Sequence, residues 1–299
     1  MLLYWLLNAY LPGDRRGFRW SKLTEDAFAY TILTIFLVLL LFPFYWMAIT
    51  AITPEQETTR LDDSLLWTTN PTFDNIENLV DDDVPPFRRW MRTSLIVTVS
   101  TTIFSVVAGT LAAYSLVRFR FPAARPLGLA MFITYLVPPI LLFIPMMRLT
   151  ESVLGIYDSK WALVVAYPTM LVPFSTWFLM GFFRSIPPDM EECARVDGAT
   201  YWQAFYKVTL PLARPGIVSA AIFSFTLSWG EYMYARGLIL SGNLWTLPVG
   251  VPNVLSTGDV FIWGQIMAAA LIGSLPIAIV YGFFMQSFVA GMTAGAVKG

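Results

Sequence analysis

The residues best placed to do chemistry lie between 187 and 211: Pro187-Pro188-Asp189-Met190-Glu191-Glu192-Cys193-Ala194-Arg195-Val196-Asp197-Gly198-Ala199-Thr200, followed by Leu210-Pro211. Pro187 and Pro188 suit the first turn of a helix, where a missing N–H leaves nothing unpaired. Asp189, Glu191 and Glu192 fall where the helix dipole favours negative charge, and Glu191 to Arg195 is an i,i+4 ion pair. Gly198 stops this helix. Thr200 and Gln203 predict a capping box for a second one, with Tyr201, Ala204, Phe205 and Val208 on one face and Leu210-Pro211 at its end. Two short helices about a glycine elbow make a protruding corner, and Cys193 and Ala194 are small enough to let another surface come close. The chemistry is that of docking.

Covalent chemistry is disfavoured by inventory. The chain has no histidine, which removes imidazole catalysis and His-ligated metals, and its single cysteine forms no intrachain disulfide or thiolate cluster. No phosphate-binding loop ends on Lys22, Lys160, Lys207 or Lys298, so any ATP and Mg2+ are handled by another subunit. The expectation is no catalytic residue, no metal site and no cofactor on this chain. A second polar cluster, Trp229-Gly230-Glu231-Tyr232, admits two readings. Trp229, Glu231 and Tyr232 suit stacking on and hydrogen bonding to a sugar, since an ionisable group in a span is functional by default; alternatively Glu231 pairs with Arg236 or is solvated.

These groups are set in an apolar chain. Of 299 residues 57% are hydrophobic and 13% charged, against soluble norms of roughly 45–50% and about 25%. A helix needs about 20 apolar residues to cross a bilayer. Uncharged runs give five spans, at 27–50, 93–117, 126–147, 161–183 and 265–288, and the short 215–230 run gives a sixth, 216–239, when extended with Glu231 and Arg236 near its far end; the 237–258 run is excluded by the loop composition of Ser241, Gly242, Asn243, Pro248, Pro252 and Asn253. The reading is an all-α membrane protein: an N-terminal segment (1–26), a six-helix domain (27–288) with loops 53–92, 184–214 and 241–262, and a C-terminal tail (289–299).

Charge orients the chain. Arg15, Arg16, Arg19, Lys22, Arg118, Arg120, Arg125, Arg184, Arg195, Lys207, Arg214 and Lys298, twelve of its 19 Lys and Arg, fall on the side of the termini, which the positive-inside bias places in the cytoplasm. Loop 53–92, with Asp62, Asp63, Asp81, Asp82 and Asp83, is then external. Tyr4, Trp5, Tyr10, Phe18 and Trp20 suit an interfacial helix rather than a signal peptide. Small residues at Ser105, Gly109 and Ala113, and at Ala269, Gly273, Ala278 and Gly282, predict close helix packing, and Pro138, Pro139, Pro145, Pro168 and Pro173 predict bent or broken third and fourth spans.

Glu191 to Ala199 with Leu210-Pro211 at its distance resembles the EAA signature of permease subunits of ATP-binding-cassette importers. Asn70-Pro71-Thr72 with Asn75, Leu111 to Leu116, and the ending Gly291 to Gly299 look like the maltose-type carbohydrate permeases, over about residues 25 to 299. The resemblance implies a type I importer permease fold in a bacterial or archaeal cytoplasmic membrane. The partners it implies are a second homologous permease, two cytoplasmic ATPases and an extracytoplasmic solute-binding protein, besides membrane lipid, with no nucleic acid. It implies ATPase coupling by Glu191, Glu192, Cys193, Ala194, Asp197, Gly198, Ala199, Leu210 and Pro211, with Glu192 in the glutamate place and Cys193 departing from the usual alanine. An ATPase-contacting tail bearing Thr293, Gly295 and Lys298 follows, extended through its glycines. Loop 241–262 matches one that touches the binding protein. A permease for glycerol phosphate or an amino acid, and an ion-coupled secondary transporter, are the alternatives.

Overall fold

The computed structural model describes residues 20–58, 66–81, 86–119, 121–257 and 260–296. The interfacial reading of Tyr4, Trp5, Tyr10 and Phe18, and Lys298 of the tail, lie outside them. The chain divides into two units at Met47. The first contains most of helix α1 (Trp20–Ala51), an apolar rod in which the Thr31 and Thr34 hydroxyls donate back to the Ala27 and Tyr30 carbonyls, so that neither polar group is left unpaired.

The second unit, from Ala48, begins with the last turn of α1 and two short helices, α2 (Glu55–Thr58) and α3 (Asp74–Val80). The Glu57 carboxylate accepts from Asn70, Thr68 and Thr69, and the Asn70 amide leads the bonds that hold it below the usual carboxylate range. The Asn75 amide donates to the Ala51 and Thr53 carbonyls at 3.1 and 2.7 Å, closing the end of α1. The Asn-Pro-Thr segment with Asn75 is thus a structural clasp.

Helix α4 (Phe87–Arg118) follows without interruption over 32 residues. The third span is a broken pair, α5 (Ala124–Leu136) and α6 (Pro139–Arg148), the latter running into a π-turn at Leu149–Val153, with a 94° bend between them. Val137 is extended because a residue before proline is pushed out of the helical region, and Pro138 and Pro139 offer no N–H to continue the ladder. The fourth span is α7 (Lys160–Ala166) and α8 (Pro168–Ser185), which meet at Tyr167.

After α8 come α9 (Asp189–Val196), α10 (Tyr201–Ala204), a π-turn (Phe205–Thr209) and α11 (Leu210–Trp229). Here two expectations are corrected. Leu210-Pro211 does not end the second short helix: the π-turn passes its hydrogen bonds past Pro211, and Tyr201–Trp229 is one span. The span also stops at Trp229 rather than reaching 239, because Gly230 caps it, donating to the Ser228 and Thr226 carbonyls.

Loop 241–262 is more helical than its composition suggests. It follows α12 (Met233–Leu238) and contains a 3-10 turn (Gly242–Leu244), α13 (Leu247–Leu255) with Pro248 in its first turn, and a hairpin of two-residue strands, β1 (Ser256–Thr257) and β2 (Val260–Phe261). Helix α14 (Trp263–Ala296) ends the described chain. The tail through Gly291 and Gly295 is therefore helical up to Ala296, not extended: the apolar span propagates its own hydrogen bonds through both glycines. Among the described residues five helices are long and apolar enough to cross a membrane, and the bent α5–α6 pair makes a sixth.

Helices α4, α8 and α11 form the centre. Ser105, Gly109 and Ala113 are buried as their spacing predicts, and a Cβ at Gly109 would stand 2.6 Å from the Ser175 Cβ. Hydroxyls link the helices across this seam: Thr101 with Ser228 at 2.9 Å and Ser175 with Ser224 at 3.1 Å. In α14 Ala269 is buried, but Ala278 and Gly282 are exposed and take no part in such a stripe.

The far end of the bundle is closed by Trp90, fully buried, whose indole N–H donates to the Gly242 carbonyl at 2.7 Å. Its ring lies on Gly250, where any Cβ would overlap it. Gly250→Val should lower stability by about 1–3 kcal/mol through overpacking, read as a lower Tm of the purified protein. Gly282→Ala, which meets nothing within 4 Å, should not lower it. Equal melting of the two variants would contradict this packing.

Candidate functional site

The 187–211 corner is built as two capped helices. Asp189, Glu191 and Glu192 occupy the first turn of α9. At its end Gly198 has φ +91°, its N–H donates to the Arg195 carbonyl and the Ala199 N–H to the Ala194 carbonyl, both at 3.0 Å. This is a Schellman closure with glycine in the left-handed position. Both halves of the Thr200–Gln203 capping box are made, at 3.2 and 2.8 Å.

The expected Glu191–Arg195 pair is not what forms. Glu191 turns inward, 9% exposed, and accepts from the Arg118 Nε at 2.7 Å and the Tyr114 hydroxyl at 3.0 Å. Arg118 also donates through Nη2 to the Ile186 carbonyl, at 2.9 Å. A partly desolvated carboxylate is far better satisfied by a guanidinium and a phenol than by a solvent-exposed arginine one turn away. Arg195 instead lies 3.9 Å over the Tyr201 ring. Tyr114 is boxed by Phe205, Phe183 and Phe119, with ring centroids 4.4–5.9 Å away.

The predicted buried face of the second helix holds only in part. Ala204 and Phe205 are buried and Val208 is half-buried, but Tyr201 is exposed and Thr209 is buried in its place. The extra residue of the π-turn shifts the helical phase by that much. What faces outward is Met190, Glu192, Cys193, Val196, Trp202 and Tyr206, with Val196 87% and Trp202 71% exposed. Met190 and Val196 lie on α9, outside the spans, whereas Trp202 and Tyr206 lie in the first turns of the Tyr201–Trp229 span, so the apolar outer face of the corner straddles the start of that span.

The second candidate cluster does not converge. Trp229 is buried, stacks on Phe225 at 5.7 Å and donates to the Gly273 carbonyl at 3.1 Å. It lines a mostly apolar cavity of about 340 Å³ with Leu247, Val251 and Ala269. Glu231 accepts from the N–H groups of Tyr234 and Ala235 at 2.8 and 3.1 Å, so its carboxylate caps α12; Arg236 lies 5.7 Å from the Trp245 ring. Tyr232 is exposed.

The neighbouring loop carries a staple that sequence reasoning missed. Asp158, at φ +54°, accepts from the Leu240 and Ser241 N–H groups, each at 2.8 Å, and from the Ser241 hydroxyl at 2.5 Å. Burial pushes its carboxyl up, but the Ser241 hydroxyl and the two N–H groups outweigh this and hold it below the usual range. Arg118 was missed as well, although its place at the close of an uncharged run after Tyr114 was a visible signal.

Comparison with known proteins gives the family and the fold. The chain is 35% identical to the inner membrane ABC transporter permease protein YcjP of Escherichia coli strain K12, over 90% of this chain and 95% of that one. It is 34% identical to the trehalose transport system permease protein SugB of Mycobacterium tuberculosis, covering 96% and 100% of the two. The fold is that of a chain in the crystal structure of a bacterial ABC transporter involved in the import of the acidic polysaccharide alginate, with a TM-score of 0.74, 20% identity, and 91% and 99% of the two chains covered. Residues 105–294 match the model of the binding-protein-dependent transport system inner membrane component, and the chain belongs to that family.

Proposed function

We propose that this chain forms half of the translocation pathway of a binding-protein-dependent importer for a carbohydrate, an oligosaccharide, disaccharide or related sugar derivative. The observation that carries the coupling role is the exposed 187–211 corner, held to the membrane helices through Glu191. Support for the cargo comes from relatives named for trehalose, maltodextrin and diacetylchitobiose transport. The alternative cargoes, glycerol phosphate or an amino acid, and ion-coupled transport are not favoured by these relatives.

The corner faces two cytoplasmic ATPase subunits, which bind ATP and Mg2+. Glu192 meets a basic group there, while Cys193 and Ala194 admit a close surface. Asp197, Gly198 and Ala199 hold the elbow, and Leu210 and Pro211 carry the motion directly into α11. Glu191 acts from within, as a positioning residue. Thr293, Gly295 and Lys298 add a second ATPase contact. A second permease completes the pathway, and loop 241–262, pinned by Asp158, receives the extracytoplasmic binding protein.

The cargo is tested on the cognate binding protein by calorimetry: saccharide binding with no response to amino acids or glycerol phosphate is expected, and the reverse overturns the reading. In the reconstituted importer Arg118→Met should cost about 3–5 kcal/mol of stability by stranding a buried carboxylate, and uptake per ATP hydrolysed should fall. Glu191→Gln, which keeps an acceptor, should be milder on both; unchanged coupling in Arg118→Met would remove the lock from the mechanism. Gly198→Val should strain the elbow by about 1–2 kcal/mol and uncouple hydrolysis from uptake. Because a Cβ there meets nothing within 4 Å, Gly198→Asn should retain most activity, and equal loss in both variants would show that backbone conformation is not the cause.

A further inference from the structure

Between α5 and α8 runs a groove of about 700 Å³ that the coupling role does not use. Arg125 and Arg184 line it together with Phe132 and Trp177. On each helix the arginine and the aromatic residue are seven positions apart, two turns on one face and about 10 Å along the axis. The Phe132 and Trp177 rings touch, with centroids 5.1 Å apart, so both arginines stand at the same level at the other end of the groove. That end is the one from which the 187–211 corner emerges.

Three observations identify the occupant. Both guanidiniums are exposed, and neither has a hydrogen bond or ion pair among the described residues. The groove between the arginines and the aromatic pair is mostly apolar and belongs to two membrane-spanning elements, where the surrounding solvent is hydrocarbon. Its floor is open at Gly181, where a Cβ would meet nothing within 4 Å. Two free guanidiniums at the mouth of an apolar slot complement a phosphate carrying an acyl chain, since arginine binds phosphate through paired N–H groups and basic residues at a membrane boundary attract anionic lipid. We propose that this groove binds one anionic phospholipid, its phosphate on Arg125 and Arg184 and one acyl chain lying over Gly181 toward the Phe132–Trp177 pair.

The test uses the complete importer, delipidated in detergent and offered phosphatidylglycerol or phosphatidylcholine with identical chains, with retained lipid counted by native mass spectrometry. The wild type should retain phosphatidylglycerol in preference. Each of Arg125→Gln and Arg184→Gln should reduce that preference by about five-fold, while Gly181→Phe should abolish retention of the lipid with the subunits still assembled. Equal retention of the two lipids by the wild type, or a preference that survives the double Arg→Gln variant, overturns the proposal. Loss of the second permease from the Gly181→Phe complex with lipid retention unchanged also overturns it, by showing that the groove seats a protein helix.

Discussion

A carboxylate withdrawn from water must find a counter-charge, and that constraint organises the end of the molecule that carries the corner. Glu191 is on α9, Arg118 closes α4, and Ile186, whose carbonyl shares the same guanidinium, ends α8. Two consecutive elements and a third about 70 residues earlier in the chain meet on the Arg118 side chain. Removing the guanidinium leaves a buried charge, so α9 cannot slide along α4 without a cost of several kcal/mol. The aromatic box around Tyr114 adds Phe205 and so ties the start of the fifth span to the same point. A helix exposed over most of its own surface becomes, through one residue, part of the bundle.

The π-turns extend this argument. A connector ended by Pro211 would hinge at that residue, and force applied to α10 would be lost in a loop. The turn at Phe205–Thr209 instead keeps Tyr201–Trp229 continuous. Its extra residue changes which side chains face inward, placing Thr209 in the core and releasing Tyr201 to carry Arg195. One local irregularity both joins the corner to α11 and frees the outer surface of the corner.

What was legible in the sequence follows from the range of the interactions. The capping box, the glycine elbow and the acidic first turn of α9 depend on residues within five positions of one another, and all were readable. The spans were readable because hydrocarbon imposes their length whatever they pack against. The partner of Glu191 was not, since an i,i+4 arginine and one 73 residues away are indistinguishable until the chain folds. The same holds for Glu231, for which composition left a ligand role, a pair with Arg236 and solvation open, and whose carboxylate caps a six-residue helix. Ends of elements were least legible: the π-turn, the Gly230 cap and the helical run through Gly295 each depend on which hydrogen bonds remain available after the neighbours are placed.

Helix α4 draws the two ends together. The other membrane-spanning elements each contain proline within or between their helices, at Pro43, Pro138, Pro139, Pro145, Pro173, Pro215 and Pro276, whereas α4 has none over 32 residues. At a rise of about 1.5 Å per residue it is about 48 Å long, well beyond the hydrocarbon core. Its first turns place Trp90 beneath α13 and the stapled loop, and its last turn places Arg118 against Glu191. Proline-broken helices can bend as neighbours move, because their ladders already lack bonds at those points. An unbroken helix gripped at both ends by buried contacts transmits displacement along its axis, so α4 is a rigid link between the Trp90 end of the bundle and the corner that Glu191 anchors.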